Sequence, residues 1–263
     1  MQPVEIKAVT LADAWFQALY QLLTVGRRFM IDRGSYAGQD RIEFDYITIH
    51  VTQPTVNPRI PEMPEGCTIP APVTMEYVIS YLPYIMAGGI APGEQYTYGS
   101  RIRQHPIDVN LVSHMAAKRM GLELKIDHMI ETELLDSSLA EETTTYFLDQ
   151  VALAIATYWK YGHRNNQMIL QVARPEDMLL KDPPCLRHID TRIQDGELQF
   201  FPYFRSWDLW GGFPANLAAI AILQEYMANE LGVRPGDMVA ASKGLHIYGY
   251  AEELARIRTG IYE

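Results

Sequence analysis

Residues 11–26, LADAWFQALYQLLTVG, carry apolar side chains at helical spacing and stop at Gly26 with Arg27 and Arg28 behind it, which predicts a helix. The period then drops to two. In RIEFDYITIHV from Arg41, Ile42 and Phe44 alternate with Glu43 and Asp45, then Ile47, Ile49 and Val51 with Thr48 and His50, which predicts one strand. TQPTVNPRIPEMPEG is a proline-rich loop, and TMEYVISYLPYIMAGG from Thr74 predicts an apolar helix kinked or ended near Pro83. EETTTYFLDQVALAIATYWKYG from Glu141 predicts a long helix ending at Gly162. Three strands are expected at Met168–Ala173, Leu186–Gln194 and Glu197–Arg205, the last two joined by a hairpin at Asp195-Gly196. A helix over 214–231 turns Leu217, Ile220, Ala221, Leu223 and Met227 inward, and MVAASKGLHIYGY from Met238 predicts a further strand. Helices and strands intersperse without strict alternation, so a mixed-sheet α/β or α+β fold is expected.

Composition narrows this picture. A chain of 263 residues at 48% hydrophobic content can bury a large core as one large or two ordinary domains. No repeat or Ser/Gly linker divides it, so residues 1–263 read as a single domain. The net charge of −10 argues against a partner in duplex nucleic acid, which needs clustered Lys and Arg, but leaves room for a small anionic substrate. The apolar run ANLAAIAIL is too short to span a bilayer, and MQPVEIKAV does not resemble a signal peptide. Cys67 and Cys185 have neither metal-ligand nor disulfide spacing, so no metal is expected and a reduced, cytoplasmic protein is.

The candidate chemistry centres on KDPPCLRH. Pro183 and Pro184 hold the chain extended and outside regular pairing, so Cys185 is displayed on a stiff backbone. A buried inert thiol would also fit there, and so would a Cys–His hydrolase with His188 or His246 as base. In YFRSWDLWGGFPANLAAI, Arg205 and Ser206 stand at a strand end before Gly211-Gly212 and the helix-opening Pro214. Such a junction suits a phosphate-type oxyanion, or simply a surface arginine beside a cap. Trp207 and Trp210 read as core packing. Asn216, inside an apolar helix, demands a partner that both donates and accepts, as a pyrimidine edge does. His246 and Tyr248 share one side of a strand, where they can grip a sugar hydroxyl or satisfy each other.

Taken together, DPPCLRHIDTRI, YFRSWDLWGGFPANLAAI and HIY, at these separations, resemble the thymidylate synthase family, and HRNNQMI with FRSWDLWGGFPANLA is similar to its methanogenic archaeal branch. The resemblance implies a three-layer α/β fold whose large mixed sheet packs across a homodimer. It implies that Cys185 adds to C6 of a bound pyrimidine nucleoside monophosphate, deoxyuridylate first, while Arg205, Ser206 and Arg33 hold the phosphate. Asn216 would read the uracil O4 and N3–H edge, Asp208 would lie at the base, and His246 with Tyr248 would hold the sugar. Glu76 and Tyr98 would manage proton transfers, and the carbon donor would be methylenetetrahydrofolate or methylenetetrahydromethanopterin.

The sequence departs from the family at three places. Leu186 follows the cysteine where bacterial members have histidine. Of the paired arginines expected near HRNNQ, only Arg164 is present to reach across a dimer. The chain stops soon after Tyr248, whereas longer members carry a tail over the folate; without that lid, water could replace hydride and give a 5-hydroxymethyl nucleotide. A hydroxymethylase acting on deoxyuridylate or a cytidylate is therefore the rival expectation, and a non-catalytic nucleotide- or RNA-binding descendant is another.

Overall fold

The computed structural model describes residues 1–32, 36–108 and 145–262. Its large sheet has the spatial order β1 (Pro3–Ala8), β4 (Tyr46–Val51), β11 (Arg234–Ser242), β9 (Glu197–Phe204), β8 (Leu186–Gln194), β7 (Ile169–Gln171). β4 runs parallel to β1 and antiparallel to β11, which is parallel to β9; β8 is antiparallel to both its neighbours. The mixed-sheet expectation is met. A smaller sheet has the order β10 (Trp207–Asp208), β12 (Leu245–Tyr248), β3 (Asp40–Glu43), β2 (Arg27–Met30). β5 (His105–Asp108) pairs with β6 (Thr145–Leu148).

Six α-helices occur among the described residues: α1 (Leu11–Val25), α2 (Met75–Met86), α3 (Tyr98–Arg103), α4 (Gln150–Tyr161), α5 (Gly212–Leu231) and α6 (Gly249–Thr259). α5 is apolar nearly all round because it is buried between β9, β11 and the flanking helices α1, α2 and α4. Leu217, Ala218, Ile220, Ala221 and Met227 are fully enclosed.

Three expectations need correction. The predicted strand from Arg41 is two strands in two sheets: β3 pairs with β12, and β4 with β1 and β11. The chain changes sheet at Phe44-Asp45, where the Phe44 N–H bonds the Leu245 carbonyl and Asp45 accepts from the Gln2 N–H. The strand from Met238 divides likewise, at Lys243-Gly244, into β11 and β12. The long helix from Glu141 begins only at Gln150, capped by the Asp149 carboxylate, which accepts the N–H groups of Val151 and Ala152 at 3.0 Å each. Before it lies β6, in keeping with the β-branched and aromatic character of Thr145–Leu148, and 141–144 fall outside the described residues. α2, by contrast, carries Pro83 inside it and runs on to Met86.

Candidate active site

The β8–β9 hairpin closes on Asp195 and Gly196, both at positive φ (54° and 75°), as a type I′ turn requires. A bulge between Leu186 and His188 shifts the register by one residue and sets Leu186 opposite Phe204, so the residues just beyond the open end, Cys185 and Arg205, lie side by side. The Arg205 N–H donates to the Cys185 carbonyl at 2.9 Å. Their separation in sequence is thus the length of one hairpin. Leu186 is fully buried in the core.

Pro183 and Pro184 have carbonyls but no N–H to satisfy, and Arg205 uses those carbonyls. Its Nη2 donates to Pro183 O at 2.5 Å and to the Asp182 carboxylate at 3.3 Å, and its Nε to Pro183 O and Pro184 O at 3.3 and 3.2 Å. The guanidinium therefore lies over the segment that presents the cysteine. Burial pushes the Cys185 thiol up from its usual range, Arg205 pulls it down, Asp182 pushes it up again and Arg187 lowers it. The net shift is upward, so the thiol is protonated at neutral pH. Below that pKa, removing the Asp182 charge raises the thiolate fraction. Asp182→Asn is thus expected to speed iodoacetamide labelling of Cys185 at pH 8 by about threefold, read by peptide mass spectrometry. An unchanged or slower rate would show that Asp182 does not act on the thiol.

A group of tyrosines stands around Cys185. Tyr98, buried in α3, receives the Leu186 N–H on its hydroxyl at 3.3 Å. α3 reaches this position because Gly99 is bare: a Cβ there would sit 2.0 Å from the Ala87 carbonyl oxygen at the end of α2. Tyr77, Tyr81 and Tyr84 form a ladder along α2, with Tyr84 edge-on to Tyr98 at 5.1 Å, and the Tyr96 hydroxyl donates to Asp182 O. Burial raises the Tyr81 and Tyr98 hydroxyls well above their ordinary value, and each feels the charge of Cys185. Both stay protonated and able to donate.

Asn216 lies in the second turn of α5, half-buried. Its Oδ1 accepts from the Trp207 indole at 3.0 Å, and its Nδ2 donates to the Tyr81 hydroxyl at 3.0 Å. Trp207 itself is core, as expected, between Phe204 (4.0 Å) and Phe213 (4.6 Å). The Asp208 carboxylate caps α5 by accepting the N–H groups of Trp210, Gly211 and Gly212 at 3.0–3.1 Å. That anchors the turn from which Asn216 projects.

β12 pairs with β10 and β3, which sets His246 beside Asp208 on one side and Glu43 on the other. His246 Nδ1 bonds the Gly244 carbonyl at 2.8 Å; as the acceptor there is a carbonyl, Nδ1 carries the proton. Nε2 is left as an acceptor, buried and without a hydrogen-bond partner. Burial drives the His246 pKa down to about 4, so the ring is neutral at physiological pH. Tyr248 meets it edge-on at 4.7 Å and stacks on Tyr36 at 4.3 Å. Its hydroxyl is raised by burial, with Tyr36, Asp208 and Cys185 adding to the shift.

Cys185, Arg205, Tyr98, Asn216, Asp208, His246 and Tyr248 thus share one region. Ser206 follows Arg205 directly, half-buried in the bend just before β10. Glu76 stands exposed in the first turn of α2, its carboxylate held low by its own backbone N–H and the Thr74 hydroxyl. Arg164 is exposed in the turn after α4, and Arg33 lies outside the described residues. Sequence reasoning missed Tyr81, Tyr84, Tyr96 and Asp182, although the Tyr77-Tyr81-Tyr84 spacing was a readable helical stripe. Among the described residues no cluster of three or more His, Cys, Asp or Glu could hold a metal ion, and no helix is long and apolar enough to cross a membrane.

Residues 95–258, more than half of the chain and most of this site, match the family profile described as thymidylate synthase. Curated relatives named "Putative thymidylate synthase" occur in methanogens. The protein of Methanosarcina barkeri is 27% identical over 93% of this chain and 89% of its own length. That of Methanococcoides burtonii is 27% identical over 97% and 95%, and that of Methanosarcina mazei 25% identical over 93% and 89%. With this match spanning the hairpin, the tyrosine-bearing α3 and the Asn216 helix, the chain belongs to the thymidylate synthase family, in its methanogen branch.

Proposed function

We propose that this protein methylates deoxyuridylate at C5, with Cys185 as the nucleophile. Family membership implies a C1 transferase that takes a nucleotide and a folate-type cosubstrate. The observation that carries the finer reading is the junction of Cys185 with Arg205 at the open end of one hairpin, facing Tyr98, with Asn216 held beside them through Tyr81.

In this reading the nucleotide phosphate draws the Arg205 guanidinium toward it, with Ser206, Arg33 and Arg164 as further donors. Arg205 also favours the Cys185 thiolate. The sulfur adds to C6, and the electron pair moves to C5 and O4 to give an enolate nucleophilic at C5. C5 would bond to the methylene carbon carried by the pterin, a folate or a methanopterin; the C5 proton would then be lost, the bond from that carbon to the pterin nitrogen would break, and hydride from the pterin would complete the methyl group. Glu76 and Tyr98 serve the proton transfers, Tyr98 as a protonated hydroxyl that accepts the N–H of Leu186, the residue after the cysteine. The Cys185–C6 bond breaks as the product forms. His246 Nε2, an unpartnered buried acceptor, suits a sugar hydroxyl, and Tyr248 lies beside it. Asn216 reads the base, over the floor that Asp208 braces.

A homodimer is part of the proposal. On β9, Leu198, Phe200 and Phe204 are sealed on one face, while Gln199, Phe201 and Tyr203 on the other stay partly exposed, the face we propose meets a twin.

Weighing the product tests the reaction. The protein, deoxyuridylate and either methylene pterin are expected to give thymidylate and the dihydropterin. A nucleotide one oxygen heavier, with tetrahydropterin released, would replace methylation by hydroxymethylation.

A further inference from the structure

We infer that Trp207 is the residue that makes this site choose uracil over cytosine, by fixing which way the Asn216 amide faces. The inference rests on the reading that Asn216 faces the base.

Uracil presents an acceptor at position 4 beside a donor at N3; cytosine presents the reverse. An asparagine amide matches either pattern, because a half-turn about its last bond exchanges oxygen and nitrogen. Asparagine alone therefore does not discriminate. Selection requires something that prevents the half-turn.

Two side chains touch this amide, and they differ in kind. Tyr81 presents a hydroxyl, which donates or accepts by rotating, so it follows whichever amide atom faces it. Trp207 presents an indole N–H, which only donates, at 3.0 Å from the amide. The atom facing it must be oxygen. The indole cannot turn away either, since its ring is packed between Phe204 and Phe213 and is only 2% exposed. A flipped amide would set N–H against N–H and leave a buried donor unpaired.

The direction follows from the two elements involved. Trp207 lies on β10, beside β12 with its sugar-side residues His246 and Tyr248. Tyr81 lies on α2, the helix that carries Glu76. With the sugar end of the ring toward β12 and the C4–C5 side toward α2, the amide oxygen sits by N3 and the nitrogen by position 4. That pattern fits uracil and opposes cytosine.

The test is the ratio of dissociation constants for deoxycytidylate and deoxyuridylate, measured by titration calorimetry on the full chain. Trp207→Phe keeps the aromatic stack and removes only the donor; Tyr81→Phe leaves the donor in place. Wild-type protein is expected to prefer deoxyuridylate. Trp207→Phe should reduce that preference about tenfold or more, and Tyr81→Phe should keep it within about threefold. An unchanged ratio in Trp207→Phe overturns the inference while the nucleotide reading of the site stands. So does a wild-type preference for deoxycytidylate, or a collapse of the ratio in Tyr81→Phe. The last two decide the matter even if Trp207→Phe does not fold. Wild-type protein that binds neither nucleotide overturns the nucleotide reading and the inference with it.

Discussion

Cys185→Ser is expected to lose turnover by roughly a thousandfold or more while binding deoxyuridylate nearly as well as the unaltered protein. The substitution changes one atom in a half-buried position, and the contacts that shape the site survive it. The Arg205 N–H binds the residue's carbonyl, not its side chain, and the guanidinium rests on Pro183, Pro184 and Asp182. What is lost is the thiolate. A serine hydroxyl beside one arginine stays protonated, and its oxygen is a poor match for the soft C6 of a conjugated ring. Steady-state rates with parallel nucleotide titrations check both halves. A fully active Cys185→Ser protein would refute the mechanism.

Asn216→Asp should have the second-largest effect, on which base is accepted. A carboxylate still accepts the Trp207 N–H and the Tyr81 hydroxyl, so the fold around α5 is expected to hold. It has no donor for the uracil O4 and sets two acceptors against each other there, whereas the cytosine amino group could donate to it. Leaving a desolvated acceptor unpaired typically costs about 1–3 kcal/mol, so preference for deoxyuridylate over deoxycytidylate should fall by about tenfold to a hundredfold. Competition binding with the two nucleotides measures this. Undiminished discrimination against deoxycytidylate would remove Asn216 from its assigned place at the base.

The core of the site was legible because it is built from local rules. Asp195-Gly196 announces a hairpin, and a hairpin of that length brings Cys185 close to Arg205 and Ser206; the bulge between Leu186 and His188 that sets Cys185 against Arg205 carries no such local signal. Asn216 was legible as a polar residue in a helix otherwise too apolar to tolerate it. The tyrosines of α2 were not, because their place at the cysteine depends on how α2 packs on α3 and α5, which no local pattern states.

The misread strands had a signal in their parity. Buried positions run Ile42, Phe44 and then Ile47, Ile49, Val51; the shift from even to odd marks the change of sheet at Asp45. Met238 and Ala240 followed by Leu245 and Ile247 make the same shift at Lys243-Gly244. Continuous alternation within each half concealed it. α6 escaped notice because only Ala251 and Ala255 are buried along it, and small residues leave a faint apolar stripe.

The central claim is that Cys185 forms a covalent bond to C6 of the bound pyrimidine. 5-Fluorodeoxyuridylate tests it most directly, because fluorine at C5 cannot leave as a proton and the reaction halts with the sulfur attached. With this nucleotide and the methylene pterin, the account predicts a stable complex whose added mass maps to the peptide holding Cys185. Absence of covalent mass, or its appearance on Cys67 instead, would contradict it.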